Sequence, residues 1–156
     1  TDEFNKPHEW LFNALFMGIH HISCRATASG IDNLSSITAA MTWLCGNEDL
    51  INIDRTTSYH GSEINLVIAK ISRNQDINKM IAKLTTEDLS EIAENLEQRI
   101  DENNTLHFRL CLDSLVGEVV KIVGADYKSV KCSIKIESYP GQNSVENIAK
   151  ILGLSS

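Results

Sequence analysis

The sequence has little of what marks most specialised proteins. Its 4 cysteines, Cys24, Cys45, Cys111 and Cys132, stand far apart in apolar stretches and form no Cys-x-x-Cys pair, which weighs against a disulfide-stapled miniprotein or a paired-cysteine zinc site. Buried free thiols in a reducing cytoplasm are the expectation. The longest apolar run near the N-terminus, Trp10 to Met17, is far short of the roughly 20 residues a membrane helix needs, and no basic segment precedes it. Neither a signal peptide nor a membrane partner is expected. Basic excess is also missing: 14 Lys+Arg against 21 Asp+Glu give a net charge of -7, the wrong sign for a nonspecific nucleic-acid binder. There is no internal repeat or low-complexity segment. What remains, 156 residues with 42% hydrophobic and 22% charged, is the composition of one compact domain.

Catalytic grammar is equally scarce. No Gly-rich phosphate loop ends in Lys-Ser/Thr, and there is no His-Glu-x-x-His, Gly-x-Ser-x-Gly or calcium loop. His20 and His21 are neighbours on a strand-like segment, where alternation sends them to opposite faces and denies them a shared metal ion. His60, beside Ser58 and Tyr59, has no orienting carboxylate or oxyanion donor in sight, so a hydrolase there is the weakest reading. A non-enzyme without metal or cofactor is expected.

The charge is unevenly spread. Thr86 to Glu102 holds seven acids and one base, Arg99, so nearly the whole excess of negative charge sits in that window. Sign asymmetry of this kind lets one face be acidic while another attracts phosphate.

Periodicity divides the chain into an N-terminal hydrophobic arm, residues 1–17, with a short helix from Pro7 to Met17, and a single α+β domain, residues 18–156. A strand is expected from Ile19 to Ala28, then a helix carrying Ile31, Leu34, Ile37 or Thr38, Met41 and Leu44 and stopped by Gly46. Ile51 to Thr57 and Glu63 to Ile71 form a hairpin through residues 58–62. A helix with Ile77, Met80, Ile81 and Leu84 follows, then one started by a Thr85/Asp88 capping box, with Leu89, Ile92, Ala93, Leu96 and Ile100 inward. Strands are expected at Thr105 to Leu112, Glu118 to Val123 and Ser129 to Ser138, a turn at residues 139–142, and a last helix carrying Val145, Ile148, Ala149 and Leu152. The fold class is α+β: two layers, a mainly antiparallel sheet with helices on one face.

Alternation then yields a candidate site. Burying Leu106, Phe108, Leu110 and Leu112 sends His107 and Arg109 to the other face. Burying Val130, Cys132, Ile134 and Ile136 does the same for Lys131, Ser133 and Lys135. Lys121 joins them if Val120 and Ile122 are inside, and His21, Ser23 and Arg25 join if the first strand is in the same sheet. The helix-free face then presents Arg25, His107, Arg109, Lys121, Lys131 and Lys135, a set suited to phosphate contacts that give affinity and register. The bland alternative is a face kept basic for solubility, and exposed aromatics for stacking bases are few. Lys70, Arg73, Lys79 and Lys83 form a second basic stretch around the third strand and its helix, for which a solvated helix edge is the favoured reading over a phosphate contact.

Four short motifs, Thr57-Ser58-Tyr59-His60-Gly61, Arg99-Ile100-Asp101, Leu106-His107-Phe108-Arg109-Leu110 and Tyr139-Pro140-Gly141, give the stretch from Gly18 to Leu152 its character. In order and spacing it resembles an archaeal family of RNA-binding proteins described as predicted exosome-associated subunits. The resemblance implies a compact α+β fold similar to the large-subunit ribosomal protein that binds 5S RNA, commonly dimeric, and it brings no catalytic residue. The sequence-level reading is a non-catalytic cytoplasmic homodimer that binds structured RNA and is associated with an RNA-processing complex. The alternative is a scaffold subunit of such a complex, with the acidic helix 86–100 meeting a basic partner protein.

Overall fold

The computed structural model describes residues 18–137; the expected arm and its helix, the turn at 139–142 and the last helix lie outside them. The described residues form six strands, β1 (Ile19–Ser29), β2 (Ile51–Thr57), β3 (Glu63–Ile71), β4 (Thr105–Cys111), β5 (Ile122–Val123) and β6 (Ser129–Ile136). The helices are α1 (Leu34–Cys45), α2 (Asn74–Ile81), α3 (Thr86–Glu94), α4 (Leu96–Arg99) and α5 (Leu112–Val116), with one 3₁₀ turn at Glu48–Leu50. All strands join one sheet in the order β2-β3-β1-β6-β4-β5, and every pairing is antiparallel. The α+β class and the antiparallel sheet are as expected.

Alternation sorts the sheet into two faces. Cys24, Ala26, Ala28, Val67, Ala69, Ile71, Leu106, Phe108, Leu110, Val130, Cys132, Ile134 and Ile136 are buried on the inner face. The small side chains of β1 and β3 let α1, which touches both strands, approach closely. From the helices come Met41, Leu44, Ile77, Met80 and Leu115, all fully buried. Each large aliphatic side chain removed from water this way contributes about 2 kcal/mol toward the cost of ordering the chain. The thiol of Cys24 lies 3.7 Å from the Met80 sulfur. Its pKa is pushed up chiefly by a hydrogen bond with Cys132.

The helix ends follow their sequence signals. Asn33 accepts from the Ser36 backbone N–H at 3.1 Å to start α1, and Gly46, at φ 78°, closes it by donating to the Thr42 carbonyl. Thr85 and Asp88 form the expected reciprocal capping box at α3.

Five expectations need correction. Ile31 is not on α1: it precedes the cap and is 97% exposed. The helix expected through Ile100 breaks at Asn95, whose φ of −124° and ψ of 35° leave the helical region, giving α3 and the single-turn α4. The strand expected from Thr105 to Leu112 stops at Cys111, because Leu112 begins α5, a helix with no long apolar period to announce it. Of the strand expected over Glu118 to Val123, only Ile122 and Val123 pair; Glu118 takes φ 60°, which closes α5 instead. Cys111 is half-buried, unlike the other three cysteines, and hydrogen bonds from Ser114 lower its pKa.

Candidate nucleic-acid interface

The face opposite α1 and α2 carries the candidate residues, and strand register decides which of them meet. On β1 the outward positions are His21, Ser23, Arg25 and Thr27; on β6 Ser129, Lys131, Ser133 and Lys135; on β4 Thr105, His107, Arg109 and Cys111. None is acidic. Because β6 lies between β1 and β4, Arg25 stands opposite Lys131 and Lys131 stands opposite Arg109, three cations in one row across adjacent strands. Strands about 4.8 Å apart put the row's backbone positions within about 10 Å. Like charges directly opposite one another destabilise a sheet, and among the described residues none of the three has a carboxylate within ion-pair distance.

A second row runs Lys70, Ser23, Ser133, His107. Lys70 thus belongs to the sheet face, and not to the helix edge where its sequence neighbours suggest it. The other three bases of that group turn elsewhere: Arg73 pairs with buried Asp76 at 3.0 Å, the Lys79 stem lies against Gly46, and Lys83 sits 5.2 Å from the Trp43 ring centre.

Lys135 is opposite both His21 and Thr105, but it is half-buried and donates to the Asn103 carbonyl, so its charge is partly committed to the turn before β4. His107 is held from the same turn: its Nε2 lies 2.8 Å from Asp101 Oδ2. Asp101 Oδ1 accepts from the Asn103 and Thr105 backbone N–H groups, and the His107 bond is the main reason its pKa is lowered. The pKa of His21 is lowered by burial first, then by His20, Lys135 and Lys70. Its imidazole responds to the positive field of this face.

Lys121 is exposed, and its carbonyl accepts from the Cys111 N–H at 2.9 Å. That places it at the β5 edge, with β4 between it and β6, apart from the row it was expected to join. His20 and His21 also depart from expectation. A register shift between Ile19 and His21 breaks the alternation and brings their Nδ1 atoms to 2.8 Å. Among the described residues no group of three metal-ligating side chains forms.

The face is not wholly free of helix. Asn95, Gln98 and Arg99, at and around α4, which packs beside β4, line a recess of about 440 Å³ with His107, Arg109, Lys131, Val123 and Gly124. In the sequence Arg99 counts only as the lone base of the acidic window. Its sole other signal is membership of the Arg99-Ile100-Asp101 motif; the helix break that turns it toward Arg109 has no periodic signature. Glu87, Glu91, Glu94 and Glu97 remain exposed. No helix among the described residues is long and apolar enough to cross a membrane.

Known structures share this fold. A DUF54 protein of Methanothermobacter thermautotrophicus matches at 24% identity over 86% of this chain and 98% of its own, with a TM-score of 0.70. A protein from Archaeglobus fulgidus matches at 20% over 85% and 99%, TM-score 0.74, and one from Sulfolobus solfataricus at 17% over 85% and 97%, TM-score 0.64. No curated protein sequence matches. A family profile described as RNA binding matches residues 21–137, the stretch that contains nearly all of the sheet and the whole basic row. The chain therefore belongs to that RNA-binding family.

Proposed function

We propose that this protein is a non-catalytic binder of structured RNA, gripping phosphates through the outer face of its sheet. Arg25, Lys131 and Arg109 carry the grip, with His107 beside them, Lys135 tied in part to its own backbone, and Lys121 contributing from the edge. The observation that supports this most is the row itself. Three cations set opposite one another with no carboxylate among them cost the isolated fold stability, and a polyanion laid across them removes that cost. Contacts of this kind fix position and orientation without reading bases, which suits recognition by backbone and shape. We place the protein in the cytoplasm as a homodimer associated with RNA processing, a reading supported by the resemblance of its four motifs to the exosome-associated family.

The test is fluorescence anisotropy with duplex, hairpin and single-stranded RNA at two salt concentrations. Salt-sensitive binding to the structured probes is expected, weakened in Lys131→Glu/Lys135→Glu, with a salt slope flatter by about one for each phosphate no longer neutralised. Binding unchanged by that pair of reversals contradicts the assignment of the face. The exposed carboxylates of residues 86–100 support a second reading, a scaffold that meets a basic protein. It predicts little RNA affinity and a protein association abolished in Glu91→Lys/Glu94→Lys.

A further inference from the structure

The recess between α4, β4 and β5 shares Arg109 and Lys131 with the row and adds Arg99 to them. Cations reach it from three separate elements: Arg99 from α4, Arg109 from β4 and Lys131 from β6. Asn95 and Gln98 also line it, and among the described residues no Asp or Glu does. Asp101, which pairs with the lining residue His107, is engaged by it at 2.8 Å. Arg99 Nε is buried and has no hydrogen-bond partner among the described residues, so it is a donor left open to an incoming acceptor. Among the described residues Arg109 makes one long side-chain contact, 3.4 Å to Ser129 Oγ. About 440 Å³ is within the range of small-ligand sites.

We propose that this recess holds the phosphomonoester end of a nucleotide, and that an RNA strand terminates there. A monoester carries about −1.5 to −2 charge and three acceptor oxygens at neutral pH, against one charge and two free oxygens on a phosphodiester. The extra charge and the third oxygen match the Arg99 and Arg109 guanidiniums together with Lys131 better than a diester does. α4 on one side and the turn at Gly124 and Ala125 on another bound the recess, which favours a chain end over a strand running through. The proposal rests on the RNA-binding reading for the source of the phosphate, and a free mononucleotide is the other source of the same chemistry.

The experiment compares hairpins of one sequence ending in 5′-phosphate, 3′-phosphate or hydroxyl, with wild type, Arg99→Gln and Arg25→Gln, and adds a titration with adenosine 5′-monophosphate followed by amide NMR. One phosphorylated hairpin is expected to bind about tenfold more tightly than the hydroxyl form, with the ratio falling to about one in Arg99→Gln. Arg25→Gln should weaken all the hairpins alike. Arg99→Lys, which keeps charge but removes the planar fork, should abolish most of the preference and serves if the Gln variant does not fold. Equal binding of all three ends by wild type overturns the pocket while leaving the sheet face intact. If no hairpin binds, the RNA reading fails by itself. The pocket then stands on nucleotide shifts at His107, Val123 and Gly124 that Arg99→Gln abolishes, and falls without them.

Discussion

Arg25 on β1 and Lys131 on β6 occupy directly opposed positions on neighbouring antiparallel strands, and Arg109 on β4 extends the line. Cross-strand like charges of this kind cost roughly 0.2–1 kcal/mol, so Lys131→Glu should stabilise the free protein by about 0.5 kcal/mol while weakening RNA binding about tenfold near 0.1 M salt. Urea denaturation and anisotropy on one preparation measure both. Loss of stability together with loss of binding would point to a structural role for Lys131 instead.

His21 reports on the same face from its edge. Burial, His20, Lys135 and Lys70 all lower its pKa. Phosphates placed over Lys135 and Lys70 should therefore raise it, by removing part of the repulsion against its protonated form. An NMR titration of the imidazole with and without a saturating hairpin shows the direction, and no change would mean that the RNA lies elsewhere.

Asp32 ties the turn after β1 to the turn before β6. It accepts from the Ser29 N–H at 2.8 Å and hydroxyl at 2.9 Å and pairs with Lys128, and the Lys128 bond is the main cause of its pKa falling to about 2. A carboxylate whose folded pKa lies below its unfolded value, about 3.9, contributes stability above that unfolded value, and the contribution is lost as pH falls toward 2. Between pH 4 and 2, Asp32→Asn should therefore lose less stability than wild type, while being the less stable of the two at pH 7. Parallel acid-unfolding curves would contradict this.

Gly46 closes α1 at φ 78°, and a Cβ there would stand 3.1 Å from Lys79 Cδ. Gly46→Ala should cost about 1 kcal/mol, mostly from the left-handed backbone, since the flexible Lys79 stem can move aside. Thr85→Ala should cost a similar amount by removing the capping box. Thermal melts of the two variants measure this.

Much of the fold is legible in the sequence because its strands alternate cleanly. The bounds of β2 and β3 coincide with their expected limits, and the outward positions of β4 and β6 follow from apolar residues at every second place. Arg25, Lys131 and Arg109 are legible as sharing one face, but not as a row, since register depends on pairings between strands distant in sequence. What escapes lies where short-range geometry overrides the period. Asn95 ends a helix whose apolar stripe runs on through Leu96, and so delivers Arg99 to the recess. Glu118 turns the chain out of a strand pattern and leaves Lys121 at the edge. The bulge at Ile19 and His21 joins two rings that alternation would separate.

The most direct measurement is an amide NMR map of the protein titrated with a structured RNA hairpin. The largest shifts should fall on Arg25, His107, Arg109 and Lys131, with smaller ones at Ser23 and Ser133 between them. Shifts confined to α1, α2 or the acidic helix α3, or none at all at low salt, would contradict a phosphate grip on the sheet face.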